Sequence, residues 1–207
     1  MGFFKDITLS LFITCLLFNC QNTTIKTKDY TKNVNNFIGT GSKGHTYPGT
    51  SVPFGMVQLS PDNGVPGCNR NSGYFYEDST IGSFSHTHLS GTGVGDLYDI
   101  PFFPTPFSEN TKPSLVKFSY ENEQAKPGFY SVKLDNGIKI ELTTTKRAGL
   151  HRYTFPDVDK SSVNVDLVRA INWDATVKSK IEKISNTQIH GYRYDKKIHC
   201  TIQFARN

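Results

Sequence analysis

The sequence predicts an all-β fold rich in turns, preceded by an export signal. Aromatic residues make up 13% of the 207 residues, and the chain contains 17 Gly and 10 Pro. Aromatic and β-branched residues interrupted by Gly, Pro, Asn and Asp are typical of short strands joined by turns. A disordered chain would be poor in aromatics, so the composition predicts a folded domain.

The N-terminus predicts export. Lys5 precedes an apolar run over 7–18, which is shorter than the roughly 20 residues of a membrane-spanning helix and suits a signal peptide. The run ends in Leu16-Leu17-Phe18-Asn19-Cys20, which resembles a bacterial lipobox, although a smaller residue is usual in place of Asn19. We expect 1–19 to be a lipoprotein-type signal peptide, Cys20 to carry the lipid, and 20–33 to be a polar tether. A plain secretory signal and an uncleaved anchor are the alternatives.

This signal implies a periplasmic or outer-membrane lipoprotein attached to the membrane by its lipid. In that oxidising compartment Cys68 and Cys200 could pair, but their spacing does not require it. The net charge of +5 is scattered along the chain. No basic stripe with interleaved aromatics is present, so we expect no nucleic-acid partner.

The first half of the domain predicts long loops over a scaffold. Residues 37–106 are dominated by Gly, Pro, Ser, Thr and aromatics, and only short strands are expected there, such as 56–59 and 81–86. Long loops carried by a rigid scaffold are where binding residues concentrate.

The second half predicts strands more clearly. Tyr130, Val132 and Leu134 alternate with polar residues, Asn136-Gly137 indicates a two-residue type I′ turn, and 138–142 alternate on the return, which predicts a hairpin with one buried face. Further strands are expected at 150–155, 163–168, 189–194 and 198–204. Residues 175–184 fit either a helix or a strand, and their neighbours favour a strand. Because the last strand is still in progress at the end, we expect a domain over 34–207 that is incomplete at its C-terminus.

Six motifs follow one another in a set order. They are NFIGTG at 36–41, PGTSVPFGMVQLSPD at 48–62, SGYFY at 72–76, FSHTHLSGTG at 84–93, AKPGFYSV at 125–132 and ELTTTKR at 141–147. Together they resemble the N-terminal module of glycoside hydrolase family 92.

The resemblance implies an antiparallel, supersandwich-like β-sandwich packed against an (α/α)6 helical domain, with the active site at their junction. The family is known for calcium-dependent, exo-acting α-mannosidases that invert the anomeric configuration. Inversion needs a carboxylic acid and a carboxylate base about 6.5–9.5 Å apart. In this family both, and most calcium contacts, come from the helical domain. We therefore expect no catalytic residue and no metal ligand in this chain, and no hydrolysis by it alone.

Five loop residues are candidates for contact with a sugar or with the helical domain. His86 and His88 share a face if their stretch is a strand, and the alternative is a hydrogen-bonded pair that holds the loop in shape. Transition-metal ligation is disfavoured because the family's metal is calcium, which prefers oxygen. His45 lies in another Gly-rich loop. Asp96 and Asp99 orient sugar hydroxyls or cap turns.

Three further features of the sequence bear on what the domain binds. The glycine-rich stretch at 91–96 is not expected to bind phosphate, because no helix pattern follows it. Trp173, the only tryptophan, suits packing better than sugar stacking. Members that cleave α-1,2 linkages are expected to have a tryptophan shortly before the SGY motif, whereas 67–71 has Arg70. That residue is a candidate for contact with an anionic leaving group, such as a mannose held in a phosphodiester.

The leading interpretation is the sandwich module of an exported α-mannosidase, of α-1,2 type, that acts on mannose-containing glycans. The alternatives are a stand-alone carbohydrate-binding lipoprotein without catalytic activity and a decayed product that does not fold.

Overall fold

The computed structural model describes residues 28–64, 67–93, 95, 97–106, 114–168, 176–195 and 199–205. The chain divides into two units, Met1–Tyr30 and Thr31–Asn207, and the architecture below belongs to the second. The predicted signal peptide, Cys20, Asp96 and Trp173 lie outside the described residues. Within the described part of the chain, no helix has the length and apolarity needed to span a bilayer.

The described residues form two short 3-10 helices, Thr31–Asn33 and Cys68–Arg70, and otherwise strands and loops. The strands are β1 (Thr50–Ser51), β2 (Gln58–Asp62), β3 (Thr80–Ile81), β4 (Ser83–Ser85), β5 (Phe102–Thr105), β6 (Val116–Lys126), β7 (Phe129–Leu134), β8 (Lys139–Thr144), β9 (Gly149–Thr154), β10 (Ser162–Val165), β11 (Thr176–Lys183), β12 (Gln188–Asp195) and β13 (His199–Ala205).

These strands form two five-stranded sheets and one three-stranded sheet. The first has the order β1-β2-β4-β5-β10, the second β3-β6-β7-β8-β9, and the third β11-β12-β13. Neighbouring strands pair antiparallel throughout. The all-β, antiparallel prediction is therefore confirmed.

One apolar core joins the two five-stranded sheets. Leu59 and Phe84 of the first sheet are buried in the same cluster as Tyr130, Val132 and Ile140 of the second. Full burial of such a side chain contributes about 1.5–3 kcal/mol. Two sheets that bury their inner faces against each other are a β-sandwich.

The predicted hairpin is present, but its turn type was wrong. Tyr130, Val132 and Ile140 are at most 1% exposed, as the alternation requires. A type I′ turn needs positive φ at both central residues, whereas only Gly137 of this turn has one, at 88°. Its N–H donates to the Leu134 carbonyl at 2.9 Å. The connection is thus a three-residue loop that ends in a left-handed glycine.

Strand β6 is the longest strand and was not predicted. Only Phe118 and Glu123 of its residues are buried, and the pairing with β7 shifts register between them. The Glu123 carboxylate accepts hydrogen bonds from the hydroxyls of Tyr74 at 2.8 Å and Tyr130 at 2.6 Å. Burial raises the pKa of Glu123, and the two hydrogen bonds oppose that shift.

Within the ambiguous segment at 175–184, Thr176–Lys183 form the strand β11, as the neighbouring strands favoured. Its side chains are exposed except for the partly buried Thr176, so the strand is held by its backbone pairing with β12 rather than by a buried face.

Cys68 is an exposed free thiol.

Candidate functional site

The structure places three predicted residues on two neighbouring segments, 85–88 and 97–100. His86 and His88 lie on the first and Asp99 on the second. The backbone N–H of His86 donates to the Asp99 carbonyl at 3.0 Å, and the N–H of Tyr98 donates to the Thr87 carbonyl at 3.0 Å. The two segments therefore form one scaffold.

The second segment is strained. Leu97, Tyr98 and Ile100 have φ values of 75°, 62° and 60°, in the left-handed region that costs L-residues about 1–2 kcal/mol each. The Tyr98 hydroxyl anchors the segment by donating to the Arg70 carbonyl at 2.8 Å. Such backbone persists only where its surroundings determine it, and it clusters at functional sites.

His88 belongs to a buried polar cluster around Asp62. Its Nδ1 lies 2.6 Å from the Gln58 carbonyl and its Nε2 lies 2.8 Å from Asp62 Oδ1. Ser83 and Ser85 donate to the same carboxylate at 2.8 and 2.9 Å. Both ring nitrogens therefore lie within hydrogen-bond distance of oxygen atoms, which holds the imidazole in one orientation.

This cluster has the residue types of a catalytic triad but not its geometry. In a triad the serine and the carboxylate lie at opposite nitrogens of the histidine. Here Ser85 Oγ lies 3.1 Å from the same Nε2 that faces Asp62. The side chains of His88 and Asp62 are also fully buried. The cluster ties the loop at His88 to β2 through Gln58 and Asp62.

His86 belongs to a partly buried hydrogen-bonded relay with His151 and Tyr153. His86 Nδ1 lies 3.0 Å from the Ile100 carbonyl, which can only accept, so this nitrogen carries the proton. His86 Nε2 then accepts from His151 Nε2 at 3.1 Å. His151 Nδ1 in turn accepts from the Tyr153 hydroxyl at 2.7 Å. Every ring nitrogen in the relay has a partner, and each tautomer is determined.

Burial keeps both histidines of the relay neutral. It lowers the pKa of His86 to about 4 and lowers the pKa of His151 well below its usual value, with the nearby His86 adding to the shift. Burial also raises the pKa of Tyr153. The relay joins β9 of the second sheet to the scaffold formed by 85–88 and 97–100.

Asp99 pairs with a buried arginine on β12. Arg193 Nη1 lies 3.2 Å from Asp99 Oδ1, and both side chains are 1% exposed. Thr87 Oγ1 donates to Asp99 Oδ2 at 3.0 Å. Removing one member of such a buried pair leaves an uncompensated charge, which costs about 3–5 kcal/mol. The described contacts of Asp99 therefore fix the scaffold.

Arg70 forms a bidentate ion pair with Asp78. Its Nε and Nη2 each donate to one carboxylate oxygen, and this hydrogen bonding raises the pKa of Arg70. The guanidinium also lies 5.0 Å from the centre of the Phe75 ring. The Arg70 side chain is 24% exposed, so an anion would have to compete with Asp78 for it.

His45 links two glycine-containing loops. It has a φ of 52°, and its carbonyl accepts from the Gly91 N–H at 2.6 Å. Its buried Nδ1 has no hydrogen-bond partner among the described residues. Among those same residues, no atom lies within 4 Å of a Cβ built on Gly91 or Gly93. His45 is thus the predicted residue with a buried ring nitrogen that has no partner among the described residues.

The described residues do not fit a calcium site. No three His, Cys, Asp or Glu side chains among them group as metal ligands. Both oxygens of Asp62 accept hydrogen bonds within its cluster, and Asp99 binds Thr87 and Arg193. Calcium needs six to eight oxygen ligands, and these carboxylates are already engaged.

Three residues of the site were not identified from the sequence. Asp62 ends the PGTSVPFGMVQLSPD motif, where a buried acid gives no periodic signal. His151 lies between Leu150 and Arg152 in a predicted strand, and its place on the same face as Tyr153 was the available signal. Arg193 lies in the predicted strand 189–194, but no pattern in the sequence links it to its distant partner Asp99.

The chain matches known proteins over most of its length. Residues 33–206 match the Glycosyl hydrolase family 92 N-terminal domain. A family GH92 α-mannosidase from Bacteroides thetaiotaomicron is 34% identical, with a TM-score of 0.79, over 85% of this chain and 25% of its own. An inverting mannosidase of the same family and organism is 28% identical, with a TM-score of 0.64, over 81% of this chain and 23% of its own.

A curated relative from Arthroderma benhamiae is called an uncharacterized secreted glycosidase. It is 34% identical over 138 residues, which are 62% of this chain and 18% of the relative. The chain thus spans about a quarter or less of the length of these proteins. On the extent of the domain match and the shared fold, the chain belongs to glycosyl hydrolase family 92, of which it comprises the N-terminal domain.

Proposed function

We propose that this chain is the sandwich domain of an exported α-mannosidase that hydrolyses mannose-containing glycans with inversion. The observation that carries the proposal is the 34% identity and TM-score of 0.79 to an α-mannosidase over 85% of the chain. In this proposal the acid, the base and calcium belong to a helical domain. The engagement of Asp62, Asp99 and Glu123 in internal hydrogen bonds supports this division.

The chain's own contribution is a rigid wall for the pocket. The Asp62–His88 cluster, the histidine relay and the Asp99–Arg193 pair hold the scaffold that precedes and follows the 89–93 loop. His45 and the glycines of that loop then face the sugar. A histidine nitrogen can donate to or accept from a hydroxyl, and a glycine lets a ligand approach the backbone closely.

The linkage in this proposal is α-1,2. The alternative, an anionic phosphodiester-linked mannose bound by Arg70, is weakened because Asp78 already occupies the guanidinium fork. Substrate comparison tests the choice. In a chimaera that joins this domain to the remainder of an active relative, mannobioses of different linkage and mannose-1-phosphate sugars would be compared with and without Arg70→Ala, and selective loss of the phosphodiester activity would favour the alternative.

The turn around Phe54 is the proposed contact with the helical domain. Phe54 is fully exposed and Met56 is 69% exposed, and Phe54 has a φ of 56°. The turn is nevertheless held firmly, because Gly55 N–H donates to the Val52 carbonyl at 2.9 Å and Met56 N–H donates to the Lys146 carbonyl at 2.7 Å. A fixed, strained turn that presents two apolar side chains suits a buried interface.

Export and lipid attachment at Cys20 are part of the proposal. The name of the secreted relative supports export. Incorporation of labelled palmitate in a bacterial host tests the anchor. The wild-type chain should be labelled and Cys20→Ser should not. Equal labelling of the two would remove the anchor from the proposal.

A chimaera tests the main proposal. Residues 33–206 would replace the matching quarter of the B. thetaiotaomicron α-mannosidase, and mannose release from α-1,2-mannobiose would be measured with and without a calcium chelator. We expect activity from the chimaera, loss with the chelator, and none from the chain alone. His45→Ala should lower kcat/KM at least tenfold, whereas His190→Ala on β12 should not. Mannose release by the isolated chain, or a folded chimaera indifferent to His45→Ala, would contradict the proposal.

A further inference from the structure

Two shallow grooves adjoin on the outer side of the second sheet. One, of about 380 Å³, lies between the N-terminal segment and the end of β6, and includes Asn35, Phe37, Gln124 and Lys126 in its lining. The other, of about 270 Å³, crosses β6, β7 and β8. Gln124 lines both, so the grooves form one elongated surface. Neither groove includes a residue of the Asp62–His88 cluster or of the histidine relay.

Each groove combines an aromatic ring with amide side chains. Phe37 lies in the first groove with Asn35, and Phe129 lies in the second with Asn122. Among the described residues, neither Asn122 nor Gln124 makes a side-chain hydrogen bond to protein. An amide both donates and accepts, as a sugar hydroxyl does, and an aromatic ring offers a flat apolar face that matches the C–H face of a pyranose.

The Phe37 ring is held in place. The Phe37 ring meets the Tyr76 ring edge-on, with the centroids 5.9 Å apart. Tyr76 stacks in turn on Tyr120 at 4.9 Å, whose hydroxyl donates to the Asp78 carbonyl at 3.1 Å. Lys126 Nζ lies 5.2 Å from the centre of the Phe129 ring. A rigid ring loses little conformational entropy when a ligand packs on it.

The charges around the second groove nearly balance. Lys133 and Lys139 face Glu121 and Glu141 there, and Lys139 already pairs with Glu141 at 3.0 Å. A surface with balanced signs gives no field that would select a charged ligand. A peptide that adds to a sheet needs an open strand edge, whereas β6, β7 and β8 each have a neighbour on both sides.

We propose that this surface binds a neutral oligosaccharide, with one sugar ring packed on Phe37, a second on Phe129, and Gln124 bonded between them. The inference rests on the proposed function only in the choice of a mannose-containing probe. It would let the domain hold a polysaccharide chain through contacts other than those of the His45 loop.

Affinity electrophoresis of the purified chain in gels that contain soluble α-mannan tests this proposal. Gels with a neutral α-glucan or with polygalacturonate run beside it. We expect α-mannan to retard the chain, and Gln124→Ala and Phe37→Ala each to weaken the binding at least fivefold. Gln188→Ala on β12 and Phe54→Ala are the matched controls and should bind as the wild type does. Should Phe37→Ala fail to fold by circular dichroism, the double variant Asn122→Ala/Gln124→Ala decides.

Four results would overturn the inference. They are binding unchanged by Gln124→Ala, equal loss in the matched controls, retardation by polygalacturonate alone, and no retardation by either neutral polysaccharide. The outcome is separable from that of the chimaera. An active chimaera with no retardation refutes only the groove, and retardation with an inactive, folded chimaera refutes only the proposed mannosidase function.

Discussion

Acid should destabilise this domain through the histidine relay. The unfolded-state pKa of a histidine is about 6.5, and burial lowers the folded-state pKa of His86 to about 4. Between these values the unfolded chain binds more protons than the folded chain, so stability falls as the pH falls. For His86 alone the loss between pH 7.5 and pH 5 is about 2 kcal/mol. His151, whose pKa is also lowered, acts in the same direction.

Other ionisable groups lie near the relay, so the measurement compares the wild type with a variant that differs only at His86. His88 and Asp62 lie on the His86 side, and both remain in the variants below. Glu123 acts in the opposite direction. Its pKa is raised in the folded chain, so just above the usual pKa of a glutamate the folded chain binds more protons than the unfolded chain. Its contribution to stability therefore rises as the pH falls. The difference between the wild type and a His86 variant cancels these contributions.

Urea unfolding at several pH values between 5 and 7.5, followed by circular dichroism, measures this difference. His86→Asn removes one titrating ring. Between pH 7.5 and pH 5, the free energy of unfolding of this variant should therefore fall by about 2 kcal/mol less than that of the wild type. Tyr153→Phe is the matched control. It leaves His151 Nδ1 without a donor at a cost of about 1–3 kcal/mol, but it keeps the His86 ring, so the pH dependence that comes from His86 should remain. Parallel curves for the wild type and His86→Asn would refute the relay.

The remaining predictions concern the scaffold and the core, and unfolding free energies measure each of them. A Cβ on Gly73, whose φ is 86°, would lie 2.6 Å from Tyr98 Cε1 and 2.7 Å from Asp62 Oδ1, so Gly73→Ala should cost about 2–4 kcal/mol. Gly93→Ala should stay within about 0.5 kcal/mol, and equal effects of the two changes would contradict the packing described. Asp99→Asn should cost about 3–5 kcal/mol by leaving Arg193 charged and buried, and adding Arg193→Met should recover part of that loss, whereas additive losses would exclude the pair. Glu123→Gln, which offers one acceptor oxygen to two tyrosine hydroxyls, should cost about 1–3 kcal/mol, and a neutral effect would argue against this network.

Local patterns predicted the strands that bury one regular face. The alternation around Tyr130 and Ile140 predicted β7 and β8, because inward and outward positions alternate with a period of two. The same rule failed for β6, where a register shift between Phe118 and Glu123 breaks the period and a buried position is occupied by a carboxylate. Burial of Glu123 is acceptable only because Tyr74 and Tyr130 donate to it. Tyr74 lies in another loop, so a local pattern could not show the pairing.

The type I′ prediction failed for a related reason. Asn136-Gly137 permits two left-handed residues, but it equally permits a loop with the left-handed residue at Gly137 alone. Lys133 pairs with Lys139 and the Leu134 N–H donates to the Ile138 carbonyl at 2.9 Å, so three residues, 135–137, remain in the turn. Strand pairing therefore decided between two turns that the dipeptide allows.

By itself, the sequence determined the fold class, the loop-rich first half and the family, because these depend on composition, period and motif order along the chain. Tertiary structure alone decided which partners the loop residues contact. His86 bonds His151, which is 65 residues away, His88 bonds Asp62, and Asp99 pairs with Arg193. These partners meet only when two sheets pack and β12 folds against the scaffold. A side chain's protonation and freedom to bind a ligand depend on such neighbours, and the order of residues along the chain does not record them.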